Sequence, residues 1–465
     1  MHSRMIHVGQ EGMQTSQPYS VHGEHINAVD RATLNELLLD AAEEWSNVTI
    51  YFEHQLSQAN FELGSMEFFQ GPKKTKITKY ADLIVGADGA YSKVRNQMMR
   101  RMRLNYEQEY IDTGYCEMYM APKVVNGQPV FALDPNHLHI WPRHTFMFIA
   151  LPNPDKTFTC TLFMPFDMFD TIDTEAKLLA FFNEHFADAV PLLGKDRLVA
   201  DYFGNPRGSL ISIKTSPHHL DDKCVIVGDA AHAMVPFYGQ GMNCGFQDIE
   251  VLHRVLDSRH VRPVLSKDGS HVPGLKEALA AYTEEHVPNA HAICDLAMYN
   301  YYEMRSAVTS KRYLARKKIE GWIHLVLPQV ITPLYTMVSF STMPYAQAVQ
   351  RWHRQTFWLN VGLGAMTAVT AGVTLWATCR LAAGHCRSEP LLLATAAAST
   401  TLGAASSTDG KTMQDLAKTA ARSTVDTAKS LGALGISIGS SLGITSLGVD
   451  RLSANAVDYL SQWWK

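Results

Sequence analysis

The chain has 465 residues, 46% of them hydrophobic, which is material for a large core and for about two to four domains; a single small module is excluded. Formal net charge is −4, from 41 basic and 45 acidic residues, so the balance shows neither the basic footprint of a nucleic-acid binder nor an acidic tail. Seven cysteines without a CxxC pair argue against a disulfide framework or a zinc site and for a reducing compartment, and Met1 to His7 hold no apolar run of the kind a secretory signal needs.

The opening segment to Tyr19 is polar and glycine-containing. Asp30 then stands as the cap of a helix whose apolar positions, Leu34, Leu37, Leu38, Ala41 and Trp45, recur at helical spacing and are expected to cover an apolar surface. Short β-rich runs follow at Val48 to Phe52 and Phe61 to Phe69. The run Ala81 to Val85 has the continuous apolar texture of a buried strand and ends at Gly86. This alternation predicts an α/β layer. Arg100, Arg101 and Arg103 read as a solvated helix face. From Gly114 to Pro165 the texture changes to alternating β-branched and aromatic residues, as in His137 to Trp141, Phe146 to Ile149 and Thr157 to Phe163, and predicts an inserted, mostly antiparallel sheet. A helix is expected at Glu175 to Phe186, a strand at Leu210 to Ile213 and a buried strand at Cys224 to Gly228. From Gly239 to Arg354 the chain reads as largely helical.

Two uncharged stretches bear on a membrane. Gly321 to Gln350 is interrupted by Pro328, Pro333 and Pro344 and makes a poor straight span. Gln355 to Cys379, flanked by Arg351, Arg354 and Arg380, is long enough to cross a bilayer of about 30 Å, the alternative being a buried or surface helix. The remaining tail is rich in Ala, Ser, Thr, Leu and Gly. Within it Ser430 to Val449 spaces Gly435, Gly439 and Gly443 four apart, either a close-packing helix face in lipid or part of a flexible low-complexity tail.

The strongest local signal is Gly228-Asp229-Ala230-Ala231-His232, followed by Pro236-Phe237-Tyr238-Gly239-Gln240-Gly241-Met242-Asn243. A buried strand ends in an acid, where open α/β sheets place ligands, and a glycine loop opens a helix whose free amides and dipole favour negative charge. An Asp there accepts hydrogen bonds from a ribityl or sugar hydroxyl. The glycines lack the GxGxxG spacing of a dinucleotide fingerprint. The second signal, Ala87-Asp88-Gly89-Ala90-Tyr91-Ser92-Lys93-Val94-Arg95, follows directly on the strand ending at Gly86; alone it is moderately specific, the alternative being a polar turn after a strand.

In this order and separation the two strings resemble the motifs of flavoprotein aromatic hydroxylases. The match narrows to the kynurenine 3-monooxygenase family through Arg4 to His7, His137 to Arg143, Thr157 to Phe166, Met298 to Tyr301 with Glu303 to Arg305, and Pro333 to Val338. The resemblance runs from about Arg4 to Trp352 and implies a fold. That fold is α/β, an FAD-binding Rossmann-like domain short of its N-terminal unit, with an inserted antiparallel-sheet substrate domain and C-terminal helices including a membrane helix. The implied segments are 1–105 and 208–310 for the FAD-binding domain, 106–207 for the substrate sheet, 311–354 for helices of the substrate site, 355–380 for the span and 381–465 for the tail.

By similarity Arg4, Tyr19, Asn300 and Tyr335 hold the amino-acid end of L-kynurenine, while Phe237, Tyr238 and the strand from Phe146 to Phe148 line the ring slot. Structural roles stay open for Tyr335 and Asn300. The implied cofactor contacts are Arg31, Leu56, Asp88, Gly89, Asp229, Gly241, Met242 and Asn243, with a surface role open for Arg31. FAD, reduced by NADPH, activates O2 in this family, with no metal, and the setting is the mitochondrial outer membrane. The family's opening strand, GxGxxG turn and helix do not precede Arg4, and their loss would weaken binding of the adenosine end of FAD. Two expectations follow: an active L-kynurenine hydroxylase, or a catalytically silent membrane-bound derivative that binds partners.

Overall fold

The computed structural model describes residues 1–8, 13–267, 269 and 271–383, with side chains to residue 379. Strand β1 (Ser3–Val8) turns back antiparallel on β2 (Met13–Pro18), and helix α1 (Arg31–Glu43) follows. Asp30 caps this helix by accepting from the Thr33 amide at 2.8 Å. Next come a meander of β3 (His54–Asn60), β4 (Ser65–Gln70) and β5 (Thr75–Tyr80), then β6 (Ile84–Gly86) and α2 (Lys93–Met98). The middle of the chain runs β7 (Asn105–Met120), a hairpin of β8 (Lys123–Val125) and β9 (Gln128–Val130), β10 (His137–Arg143), β11 (Phe146–Pro152) and β12 (Phe158–Pro165). Helices α3 (Phe166–Thr171), α4 (Glu175–His185), α5 (Val190–Leu193) and α6 (Lys195–Gly204) succeed them. The last strands are β13 (Gly208–Ser216), β14 (His219–Leu220) and β15 (Cys224–Ile226). Then the chain is helical: α7 (Asp229–His232), α8 (Gly241–Ser258), α9 (Leu275–Arg305), α10 (Lys311–Val326), α11 (Leu334–Ser339) and α12 (Tyr345–Ala383).

Seven strands form the main sheet in the order β13-β7-β12-β11-β10-β1-β2. It is antiparallel except where β1 runs parallel to β10 and sets Arg4 opposite Leu138. The segment read as a polar opening thus supplies an interior strand. The sheet also draws β1, β2 and β13 from outside 106–207. Period-two alternation divides β11 between two cores. Phe146 and Phe148 pack with Phe182 and Phe186 on one face, whereas Met147 and Ile149 join Phe237 and Tyr301 under α9 on the other.

A smaller sheet, β14-β15-β6, aligns Cys224 to Ile226 parallel to Ile84 to Gly86. The expected buried strand at Ala81 to Val85 is shorter and lies at the edge of this sheet, so Ile84 is buried while Val85 is 47% exposed. Three other expectations are corrected. Val48 to Phe52 is loop, because no described strand pairs with it, and Tyr51 and Phe52 lie in solvent. The run Phe61 to Phe69 is split by a turn at Gly64 (φ +61°), where an added Cβ would come within 2.4 Å of the Ala81 carbonyl oxygen. Helix α1 buries none of its residues: of the expected apolar positions Leu34 is half-buried, while Leu37, Leu38, Ala41 and Trp45 are exposed.

Residues Met1–Gln355 form one compact unit, and a second unit begins at Thr356. Prolines break the stretch 321–350 as expected, with α11 starting after Pro333 and α12 after Pro344. Helix α12 begins ten residues before the expected span. Its Tyr345–Cys379 portion is long and apolar enough to cross a membrane, with mean hydropathy 1.4 in its best window and none of that window buried. The tail from residue 384, including the glycine spacing at Ser430 to Val449, lies outside the described residues.

Candidate active site

Strand β1 carries Arg4 into the interior, where it is 4% exposed. Nη1 donates to Glu303 Oε1 at 2.8 Å and Nη2 to Asn300 Oδ1 at 3.3 Å; both acceptors sit on α9 three residues apart and therefore on one helix face. The rings of Tyr19 and Tyr335 lie 5.5 and 5.1 Å from the guanidinium carbon, and Tyr335 stacks between Tyr19 (5.1 Å) and Tyr238 (5.4 Å). Asn300 is oriented by donating from Nδ2 to the Phe237 carbonyl at 2.7 Å. Burial opposes charge on Arg4, but Glu303 outweighs it and holds the guanidinium above its ordinary pKa. Burial likewise works against Glu303, yet Lys317 and Arg4 prevail and bring its pKa down to about 2. Arg4 Nε and the Tyr19 hydroxyl are buried without a hydrogen-bond partner. Two unmet donors beside a fixed cation present what a carboxylate binds.

The sequence-based assignments Arg4, Tyr19, Asn300, Tyr335 and Tyr238 are therefore brought together, with Phe237 adjoining through Asn300. Phe237 stacks on Tyr301 at 4.4 Å and meets Phe163 edge-on at 4.9 Å, which makes one apolar wall. The expected contribution of Phe146 and Phe148 is corrected: they point to the opposite face of the sheet, as alternation along β11 requires. Glu303 is the residue that sequence reasoning left without a role. Its i, i+3 relation to Asn300 was the available signal.

The second group gathers where β6 and β15 end. After β15, Gly228 (φ +59°) turns the chain into Asp229, which is exposed to solvent yet crowded enough by protein for burial to raise its pKa against the pull of His232 and Arg31. Arg31 thus stands near Asp229. Gln240 gives α8 no side-chain cap, so the first amides of the helix, at Gly241, Met242 and Asn243, remain for a ligand. After β6, Asp88 bends back to accept from Ser92 Oγ (2.5 Å) and from the Lys93 and Val94 amides (2.6 and 3.1 Å). Its carboxylate is thereby committed to the start of α2, while Gly89 (φ +78°) makes the turn. Leu56 packs in the core beneath β6 and β15. Arg95, 2% exposed, ties the loops together: Nη1 donates to the Ala230 carbonyl at 2.7 Å and Nη2 to the Ala90 carbonyl at 2.6 Å.

These residues fit the ring and ribityl end of a flavin: an uncapped helix start for the pyrimidine edge, an accessible acid for hydroxyls, and a turn at Gly228 where an added Cβ meets nothing within 4 Å. Among the described residues no GxGxxG strand-turn-helix addresses the pyrophosphate end.

Residues 5–261 match the family model described as FAD binding domain. The chain is 43% identical over 357 residues to the kynurenine 3-monooxygenase of Drosophila willistoni, covering 75% of this chain and 74% of that protein. It is 43% identical over 363 residues to that of Sus scrofa (78% and 73%) and 43% identical over 364 residues to that of Yarrowia lipolytica (76% and 75%). On this identity and coverage the chain belongs to the kynurenine 3-monooxygenase family of FAD-binding proteins.

Proposed function

We propose that the chain is a flavin-dependent monooxygenase that hydroxylates L-kynurenine on its ring, with NADPH and O2 as co-substrates. The observation that carries this reading is the orphaned pair Arg4 Nε and Tyr19 Oη beside a buried guanidinium. The carboxylate of an amino acid would complete it, and Glu303, already facing Arg4, would receive the ammonium. Phe237 and Tyr238 would seat the aminophenyl ring. Bound FAD would take two electrons from NADPH and deliver one oxygen atom of O2 to the ring, the other leaving as water.

In this reading Arg31, Leu56, Asp88, Gly89, Asp229, Gly241, Met242 and Asn243 surround the cofactor, Asp88 through the turn it holds rather than by direct contact. The α8 amides stabilise negative charge on the pyrimidine edge, and the aromatic walls exclude water from the ring pocket. Residues 1–105 and 208–310 serve the cofactor and also bring Arg4, Tyr19, Phe237, Tyr238 and Asn300 to the substrate, 106–207 and 311–354 complete the substrate side, and α12 anchors the enzyme in the mitochondrial outer membrane.

The full chain, purified in detergent and supplied with FAD, is expected to oxidise NADPH faster when L-kynurenine is added and to yield 3-hydroxykynurenine. Flavin-loaded chain that neither binds L-kynurenine nor forms that product would overturn the proposal.

A further inference from the structure

One buried cluster beneath the glycine turn has no part in the reading above. His232 closes α7, Cys244 and Asp248 stand one turn apart on α8, and His286 faces them from α9. All four are buried, and one donor atom from each lies within 4.8 Å of every other. Asp248 Oδ2 already accepts from the Gly228 amide (2.5 Å) and faces His232 Nε2 at 2.7 Å, while Cys244 Sγ stands 3.9 Å from the other nitrogen of that ring.

The contacts inside the cluster and the residue beside it define the setting. Asp248 Oδ1 and His286 Nε2 form an ion pair, so that one buried carboxylate bridges two imidazoles. His218 is wholly buried beside the cluster, its ring 5.9 Å from that of His232 and 6.3 Å from that of His286, with no hydrogen bond to either of its nitrogens. Nitrogen, oxygen and sulfur donors converging away from water are a set that a cation of the zinc class binds, with His218 lying outside the set.

We propose that His232, Cys244, Asp248 and His286 form a closed structural site for one divalent ion of the zinc class. Zinc bonds to N, O and S of about 2.0–2.3 Å set tetrahedral donor separations of about 3.3–3.7 Å, so side-chain rotations moving atoms by about 1 Å close the observed spread. The ion replaces the protons between the carboxylate and the two imidazoles. One thiolate, one carboxylate and two neutral imidazoles offset its two charges, which leaves a neutral assembly where an unbalanced charge is costly. Thiolate and imidazole select zinc over magnesium or calcium, which take oxygen ligands. Four protein ligands leave no open position, so the role is to cross-link α7, α8 and α9 behind Gly228, whatever small molecule the front of that turn holds. The absence of a CxxC pair concealed the site, because its ligands come from three helices.

The test uses the full chain in detergent. Elemental analysis is expected to find about one zinc per chain, and the chelated protein to take up about one equivalent of cobalt(II) with a thiolate-to-cobalt charge-transfer band and the strong visible bands of tetrahedral geometry. Cys244→Ser abolishes the charge-transfer band and His286→Gln weakens binding by about 100-fold or more, since even outer-shell changes cost about 10–100-fold. Cys294→Ser, buried outside the cluster, leaves both unchanged. Zinc and cobalt below about a tenth of an equivalent in folded chain, or a band that survives Cys244→Ser, would overturn the site and leave a proton-linked cluster in its place. Should the variants fail to fold, the cobalt stoichiometry and thiolate band of the unaltered chain decide: both present support the site, either absent overturns it.

Discussion

Arg4 Nη1 lies 2.8 Å from Glu303 Oε1, and Lys317 Nζ approaches the same oxygen at 3.3 Å. One carboxylate on α9 therefore neutralises a cation from β1 and another from α10. Truncating one partner of a buried pair leaves the other charge uncompensated, which costs more than the pair contributes. Glu303→Gln is expected to destabilise the chain by about 3 kcal/mol in urea titration. Because the folded pKa is about 2 against an ordinary 4.5, this contribution is present above about pH 4.5 and lost as pH falls toward 2. The variant should show a shallower loss of stability in that window, and a slope identical to the parent's would remove Glu303 from the account.

His139 sets a second, higher window. Its Nε2 donates to the Asp134 carbonyl at 2.9 Å, its Nδ1 lies 3.0 Å from His7 Nε2, and His7 in turn meets Asp188 at 2.8 Å. Burial lowers the His139 pKa to about 4, with the Asp134 contact opposing and His7 and His137 assisting. As pH falls from about 6.5 the unfolded chain takes up this proton before the folded one does, so stability declines between pH 6.5 and 4, by at most about 3 kcal/mol. Urea midpoints measured across that range should fall in the parent and fall less in His139→Gln.

How much of this was legible in the sequence depended on whether the determining contacts were local. The strand ending at Gly228 and the cap at Asp30 are written in neighbouring residues. Assignments that rested on the resemblance, such as Arg4 with Tyr19, Asn300 and Tyr335, span more than 300 positions, and no periodicity would have joined them. Val48 to Phe52 has strand composition but no partner strand among the described residues, and α1 has helical spacing but leaves most of its apolar positions exposed; composition cannot report either. Phe146 and Phe148 were misplaced because the resemblance was applied to the strand as a whole, although alternation sends both to the face opposite Met147. The cluster around Asp248 was invisible for the opposite reason, since only Cys244 and Asp248 are close enough in the chain to show a turn's spacing.

Gly86 marks how tightly the two motif loops are joined. A Cβ at this position would lie 2.8 Å from Val94 and 3.0 Å from Ile226, both of which are buried side chains with little room to yield. Gly86→Ala is expected to cost about 1–3 kcal/mol through overpacking, read as a lowered denaturation midpoint. Val94→Ala should recover part of that loss in the double variant, by opening space for the new methyl group. No recovery would mean that the backbone rather than Val94 carries the clash.

Arg95 supplies the sharpest separation between cofactor and substrate effects. Its planar fork reaches the carbonyls of Ala230 and Ala90 at once, at 2.7 and 2.6 Å, from a position with 2% exposure. Lysine retains the charge but is a single point donor on a flexible stem, so it cannot serve both carbonyls in this geometry. Arg95→Lys should therefore leave one carbonyl unsatisfied, loosen the segment that follows Asp229 at Ala230 and weaken FAD retention by about 10-fold or more, consistent with the loss of one charge-assisted hydrogen bond worth about 1.5–3 kcal/mol. Arg4 is held by β1 and α9, which Arg95 does not bridge, so L-kynurenine affinity measured on flavin-saturated protein should stay within about twofold of the parent if the two effects are independent. Gel filtration followed by flavin fluorescence reads the first quantity, and a spectral titration with L-kynurenine reads the second. Equal losses in both would show that the loops behave as one unit and that Arg95 acts on the fold rather than on the cofactor turn.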